Sequence, residues 1–260
     1  MPTALVTGAT AGIGAAYARR LALARYDLIL VARTEGRLAD TAAELADRWT
    51  VHAETIVADL STVEGCDTVE ARLAEPERPV DMLVNNAGIS LHRTFTRNTA
   101  DDEERLLRLN VRAVLRLTHA AVGPMVARGS GAVVNVSSVA GFAAGVTPGS
   151  TYPASKAWVT AFSESVGQSV RRHGVKVMAV CPGYTHTEFH DSIGADMTHL
   201  PSFAWLNADE VVAASLRDLR RGKLVSIPSA RYKAATAALS HLPRAVLHRV
   251  PNVGRRRSTG

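Results

Sequence analysis

Seven apolar runs of strand length, separated by longer stretches of helical period, constrain this chain more than any other feature. They are TALVT (3–7), DLILVA (27–32), VHAETIVA (51–58), VDMLV (80–84), GAVVNV (131–136), VKVMAV (175–180) and KLVSI (223–227). Continuous Val, Ile and Leu suits strands buried on both faces. Helical candidates lie between them at 12–25, 35–49, 62–74, 101–128, 152–173 and 208–221. Strand and helix repeating in this way predict an α/β, doubly wound parallel sheet of about seven strands with helices on both faces. No linker or repeat divides the pattern, so one domain is expected over residues 1–230, with a carboxyl-terminal extension over 231–260. In such a sheet the ligand crevice lies beyond the carboxyl ends of the strands, and the residues just after each strand carry the information about function.

A length of 260 residues with 47 % hydrophobic residues suffices for one sizeable core. Cys66 and Cys181 stand far apart, without CxxC or His-rich spacing, so neither a disulfide framework nor a metal site is indicated. A reducing, cytoplasmic setting is expected. Met1 runs straight into TALVTG, and no uncharged apolar run approaches the ~18 residues of a membrane span, so the chain reads as soluble and unprocessed. The net charge of +6 is unevenly placed: residues 219–260 hold 10 of the 30 Lys and Arg and no acidic residue, leaving 20 against all 24 Asp and Glu in residues 1–218. A mildly acidic body with a basic tail, lacking a recognition element with aromatic or helix-turn-helix context, is not the pattern of a nucleic-acid reader.

Directly after the first run comes Thr7-Gly8-Ala9-Thr10-Ala11-Gly12-Ile13-Gly14, opening an alanine-rich helical segment. Glycines at this spacing let the backbone turn sharply and approach a pyrophosphate, with the phosphates over the helix amino terminus. A dinucleotide site in a Rossmann-like domain follows from this placement. TGATAGIG resembles the cofactor motif of the short-chain dehydrogenases and reductases, single-domain enzymes near this length. The resemblance puts the cofactor against Gly8, Thr10, Gly12, Ile13 and Gly14.

After the second run, where an NAD site would place an acidic residue on the ribose 2′-hydroxyl, the chain reads Ala32-Arg33-Thr34. An arginine there can accept a 2′-phosphate through charge-assisted hydrogen bonds, which favours NADP(H) over NAD(H), beside the alternative of a solvated arginine. Ala11 lacks the extra basic residue that many NADP-binding relatives carry. The resemblance puts Asp59, followed by Leu60, on the adenine amino group, although Asp59 could instead cap the helix starting near Thr62. It also puts Asn86, Ala87 and Gly88, in NNAG after the fourth run, on the adenosine side.

Hydride transfer to a carbonyl needs a proton donor at oxygen and a group that polarises it. Tyr152 and Lys156, in YPASK, are i and i+4 and share one helix face, with Pro153 tolerated in the first turn. A neighbouring ammonium with an oxidised nicotinamide ring could lower a phenol from its free value of about 10. Ser138 leaves the end of the fifth run at the crevice mouth, with Ser137 expected to point the other way. The family resemblance implies that Tyr152 exchanges the proton, Lys156 depresses its pKa and holds the nicotinamide ribose, and Ser138 binds the substrate oxygen. It further implies that Asn110, through its backbone carbonyl and a water, links Lys156 to solvent. Pro182, Gly183 and Thr187 match the family's PGxxxT segment, whose threonine contacts the cofactor.

The segment 184–206 reads as a substrate lid. Phe189, Ile193, Met197, Leu200, Phe203 and Trp205 suit an apolar ketone or secondary alcohol, or simply pack the lid on the body. The tail carries two short apolar helical patches broken at Pro243, then Arg255-Arg256-Arg257. A peripheral membrane contact, a lid over a lipid-like substrate, a subunit interface and a solvated extension all stay open for it. The resemblance also implies a homodimer or homotetramer through the helices near 101–128 and 152–173. The expected activity is an NADP-dependent carbonyl reductase or alcohol dehydrogenase, with a non-catalytic NADP-binding regulatory module as the alternative.

Overall fold

The computed structural model describes residues 1–91, 93–144, 149–187 and 202–241. Strands β1 (Thr3–Thr7), β2 (Asp27–Ala32), β3 (Ala53–Val57), β4 (Met82–Asn85), β5 (Gly131–Val136), β6 (Val175–Val180) and β7 (Val225–Ser226) form one sheet in the order β3-β2-β1-β4-β5-β6-β7. Every neighbouring pair is parallel. The helices are α1 (Gly12–Leu23), α2 (Glu35–Trp49), α3 (Val63–Leu73), α4 (Ala100–Leu107), α5 (Val114–Arg128), α6 (Tyr152–Val170), α7 (Ala208–Arg220) and α8 (Ala230–His241). This is the doubly wound fold that the alternation of runs predicts.

The central runs are nearly continuous because both faces of the sheet are covered there, whereas the edge strand β3, AETIV, is only partly buried. Ala4 and Val6 of β1 and Leu28 and Leu30 of β2 pack with Tyr17, Leu21, Leu38 and Val212 from α1, α2 and α7. Their neighbours Leu5, Ile29 and Val31 turn to the other face, against Val69, Leu117 and Met125 from α3 and α5. A strand buried on alternate sides leaves few positions for a polar side chain, and those present at the ends of β4 and β5, Asn85 and Asn135, are hydrogen-bonded to each other at 2.9 Å. Each fully buried leucine contributes about 1.5–3 kcal/mol.

Strand order reverses at β1, whose partners are β2 on one side and β4 on the other. The crevice therefore opens above the carboxyl ends of β1 and β4. The helix expected over 101–128 is divided by a wide π turn at Arg108–Ala113, between α4 and α5. A widened turn changes the i→i−4 ladder locally, which a hydrophobic period does not reveal. The first apolar patch of the tail forms α8; the second, after Pro243, lies outside the described residues.

Candidate active site

The glycine turn is built by backbone approach. Gly8 (φ +64°) and Gly12 (φ +53°) hold left-handed conformations that side chains disfavour. A Cβ on Gly14 would lie 2.1 Å from the Gly8 carbonyl oxygen and 2.4 Å from Asn86 Nδ2. Asn86 ties the turn to β4: its Nδ2 donates to the carbonyls of Thr7 (2.9 Å) and Gly8 (3.2 Å), while the amides of Asn86 and Ala87 donate to Thr7 Oγ1 at 2.9 and 3.0 Å. Ala11 supplies no side-chain cap to α1, whereas α3, α4 and α7 are capped by Thr62, Thr99 and Asn207. The first amides of α1, without a capping side chain and flanked by bare glycines, fit a diphosphate. Thr10 and Ile13 lie within the same turn and the start of α1, half-buried.

Arg33 is exposed at the end of β2. On the first turn of α2, Arg37 donates from Nη2 to the Thr10 carbonyl at 3.2 Å, which brings a second guanidinium to the glycine turn. No motif in the sequence marks Arg37, which reaches the turn only because α2 packs beside it. Asp59 is not a helix cap. Thr62 caps α3 by accepting from the Gly65 amide, and Asp59 Oδ1 accepts from the amide (2.9 Å) and hydroxyl (2.7 Å) of Ser61. Burial opposes ionisation of Asp59, but these bonds and the charges of Arg33 and Arg105 outweigh it, so its carboxyl lies below the ordinary value. Leu60 beside it is buried.

Ser138 and Ser137 leave β5 in opposite directions. The Ser137 hydroxyl is buried on α6, donating to the Lys156 carbonyl at 2.7 Å and lying 2.8 Å from Thr160 Oγ1. Ser138 starts the short 3-10 turn Val139–Ala143, where its Oγ accepts from the Ala140 amide at 3.1 Å and shares a hydrogen bond with the Tyr152 side chain. Tyr152 opens α6 with Pro153 behind it, and Lys156 follows one turn later. Lys156 Nζ is buried, donates to the Val136 carbonyl at 2.9 Å and lies 5.7 Å from the Tyr152 ring centroid. Gly88 fits between β4 and this helix, since a Cβ there would lie 3.1 Å from Asn110 Oδ1 and 3.5 Å from Lys156 Nζ. Fully buried in the π turn, Asn110 grips Ile89 from both ends, Oδ1 accepting from its amide at 2.9 Å and Nδ2 donating to its carbonyl at 2.8 Å.

Burial pushes the Tyr152 phenol up to about 12, against the opposing Ser138 hydrogen bond and with a smaller contribution from Tyr184. Burial likewise brings the Lys156 ammonium down to about 8, with Cys181 opposing. In the protein without cofactor, burial is the largest influence on the Tyr152 phenol; the lowering expected from the Lys156 ammonium together with an oxidised nicotinamide ring concerns the cofactor-bound state.

The segment after β6 is held from the tail. Tyr232 of α8 covers Gly183, where a Cβ would come within 2.1 Å of its ring. Its hydroxyl donates to the Ala204 carbonyl at 2.7 Å and accepts from the Tyr184 amide at 3.3 Å, joining the described ends of the segment 184–206. Those ends also meet through a Thr185–Leu206 bridge and a His186–Trp205 stack with ring centroids 4.5 Å apart. Pro182 accepts at its carbonyl from the Val139 amide at 3.0 Å, and Thr187 lies against Gly12. Phe189, Ile193, Met197 and Leu200 lie outside the described residues. No motif in the sequence singled out Tyr232. Among the described residues no group of three His, Cys, Asp or Glu could hold a metal ion, and no helix is long and apolar enough to cross a membrane.

Comparison with known proteins agrees with this geometry. The family described as short chain dehydrogenase matches residues 2–198. Sulfoacetaldehyde reductase 2 of Chromohalobacter salexigens is 39 % identical over 188 residues, 71 % of this chain and 73 % of that protein. A short-chain dehydrogenase from Sphingobium yanoikuyae, solved in complex with NADPH, superposes with a TM-score of 0.85 at 38 % identity, covering 98 % of this chain and 99 % of that one. The bulky-bulky ketone specific alcohol dehydrogenase from Comamonas testosteroni gives 0.79 at 33 % identity, covering 94 % and 96 %. With a glycine turn at the β1–β4 switch point, a serine–tyrosine pair at the end of β5 and relatives of this kind along its length, the chain belongs to the short-chain dehydrogenase family of oxidoreductases, which act on small-molecule carbonyls or alcohols.

Proposed function

We propose that the protein is an NADP(H)-dependent reductase of bulky, apolar ketones. The observation that carries this reading is the meeting of the Ser138 and Tyr152 side chains at the carboxyl end of β5, one helical turn from Lys156. A carbonyl oxygen seated between the two hydroxyls would take a proton from Tyr152 and a hydrogen bond from Ser138. With its pKa at about 12, Tyr152 is a neutral phenol at pH 7, the form that donates a proton to the carbonyl oxygen during reduction. Bound over the glycine turn, the nicotinamide cofactor supplies the hydride. Lys156, still mostly ammonium at pH 7, is the group to hold the nicotinamide ribose and, with the Asn110 carbonyl and a water, to return a proton to Tyr152.

Arg33 and Arg37 support NADP(H) over NAD(H), as does likeness to a dehydrogenase solved with NADPH. Asp59 with Leu60, Asn86, Ala87 and Gly88 form the adenosine side, and Pro182, Gly183 and Thr187 the nicotinamide side. For the substrate, residues 182–206 contain no Lys or Arg, and Tyr184, Trp205 and Tyr232 surround the lid base. That wall suits a bulky ketone better than an anionic aldehyde such as sulfoacetaldehyde. Residues 1–230 act as one cytoplasmic catalytic domain. Assembly as a homodimer or tetramer is supported by Leu107 and Leu115, 39 % and 44 % exposed along the π-turn helix pair, and is measurable by light scattering.

The decisive measurement is NADPH oxidation over a panel of aryl and bulky alkyl ketones with sulfoacetaldehyde alongside. Tyr152→Phe should cut turnover by about 10²–10⁴-fold while NADPH still binds. Turnover unaffected by that change, or NADPH binding with no turnover on the whole panel, would sink the reading.

A further inference from the structure

The first amide of the catalytic helix, that of Tyr152, donates to Ser150 Oγ at 3.2 Å, and the residue between them caps nothing. Thr151, the residue before Tyr152, has helical backbone angles (φ −70°, ψ −2°) and makes no side-chain bond to the amides of α6. Its hydroxyl is directed elsewhere. Glu103 of α4 is 5 % exposed, and its Oε2 accepts from both the Thr151 amide (2.9 Å) and the Thr151 hydroxyl (2.6 Å). The other oxygen accepts from Asn98 Nδ2 at 2.7 Å. Burying a carboxylate is costly unless its lone pairs are met, and here three donors meet them at an amino terminus whose dipole favours negative charge. Burial opposes ionisation, yet the Thr151 and Asn98 bonds hold the Glu103 carboxyl below its ordinary value, so it stays charged.

The helix that carries Glu103 is itself fixed. Thr99 and Asp102 form a reciprocal capping box at the start of α4. Two turns on, the same helical rod places Asn110 Nδ2 3.4 Å from Ser155 Oγ, and that hydroxyl donates to the Tyr152 carbonyl at 2.7 Å. The first turn of α6 is thus tied to one rod at two points, residues 103 and 110. Asn110 lies inside the proposed site, whereas Glu103 touches none of the reacting groups.

We propose that Glu103 is a positioning residue, which sets the Tyr152 hydroxyl against Ser138 by anchoring Thr151 at the start of α6. The inference rests on the proton-transfer reading of Tyr152. Loss of the anchor lets the first turn of α6 shift or fray, and a displacement of about 1 Å at the reacting group can lower a rate by about 100-fold. The shape of the anchor matters more than its charge. A glutamine can present its oxygen to Thr151 and its amino group to the oxygen of a turned Asn98.

The test compares Glu103→Ala, Glu103→Gln, Thr151→Val and Thr151→Ser with wild type and Tyr152→Phe, using NADPH and the ketone best turned over by wild type. Glu103→Ala should lower kcat by about 10- to 100-fold with the Kd for NADPH within about twofold, and Glu103→Gln should restore most of the rate. Thr151→Val keeps the side-chain shape and loses one bond, so it remains informative if the alanine variant does not fold. It should lower kcat by about 3- to 10-fold, with Thr151→Ser restoring it. Folded Glu103→Ala or Thr151→Val with reduced thermal stability but wild-type kcat would make Glu103 a merely structural group and overturn the proposal. If Tyr152→Phe itself keeps wild-type turnover, the proton-transfer reading falls and this inference with it.

Discussion

The two walls of the crevice are built by different means. On the cofactor wall, β1 and β4 bring main chain against main chain, and Gly8, Gly12 and Gly14 are needed because a Cβ would strike a neighbour or strain the turn. On the substrate wall, position is set by side-chain hydrogen bonds from remote parts of the chain: Glu103 on Thr151, Asn110 on Ile89, Tyr232 on Tyr184 and Ala204. Backbone approach tolerates almost no side-chain variation but is indifferent to what the cofactor is used for. A hydrogen-bonded wall can change its substrate by changing side chains while the hydride acceptor's partner stays in place.

The largest expected contrast is between two adjacent serines. Ser138→Ala should reduce kcat by about 10²–10³-fold and leave NADPH affinity and stability near wild type, as for removal of one donor to a developing oxyanion. Ser137→Ala should do the reverse, lowering stability by about 0.5–1.5 kcal/mol, since the Lys156 carbonyl keeps the Thr160 hydroxyl as a donor, with a much smaller effect on rate. Equal kinetic losses in both would mean that the β5 end is not divided into a catalytic and a structural side.

Next in size is the titration of Lys156. Its folded pKa of about 8 lies below the ordinary lysine value of 10.5, so between these values the unfolded chain binds the proton and the folded chain does not. Stability therefore rises with pH across that window, and the penalty of the buried ammonium is fully present below pH 8. Tyr152 acts oppositely from pH 10 towards 12, where the unfolded phenol ionises first. Lys156→Met should remove the Lys156 contribution, on the order of 3 kcal/mol between pH 8 and 10, after allowance for the lost bond to Val136. Urea melts of both proteins at several pH values measure it; parallel stability profiles would contradict a depressed lysine.

Gly14→Ala probes the cofactor wall. The new Cβ would meet the Gly8 carbonyl, which is backbone and cannot swing away, so stability should fall by about 1–3 kcal/mol. NADPH affinity should fall with it. A normal melt with normal NADPH binding would show that the turn yields more than its contacts suggest.

What the sequence disclosed follows the same division. The sheet, the glycine turn and the i, i+4 pair were legible because each is local: a run, a turn chemistry and a helical spacing. The opposite directions of Ser137 and Ser138 followed from strand alternation. By contrast, the π turn at Asn110 breaks a period without any breaker residue, and Arg37, Glu103 and Tyr232 acquire meaning only when α2, α4 and α8 are in place. The rise of the Tyr152 pKa was equally invisible, because desolvation depends on what covers the ring and not on the lysine four residues away.

Tyr232→Phe should give the smallest effect and speaks most directly to the tail. The ring would still cover Gly183, while the bonds to the Tyr184 amide and the Ala204 carbonyl would be lost. Each such bond is worth about 0.5–1.5 kcal/mol, and the freed main-chain groups at the lid base can turn to water, so the net cost should be near 1 kcal/mol. If α8 serves to hold the lid ends together, that cost should appear as a several-fold rise in KM for the ketone, with kcat and NADPH affinity unchanged. If α8 serves only to fill space beside Gly183, Tyr232→Phe should be kinetically silent and only Tyr232→Ala should matter. The two variants measured side by side therefore decide whether the substrate wall extends into the basic tail through a hydrogen bond or through packing alone.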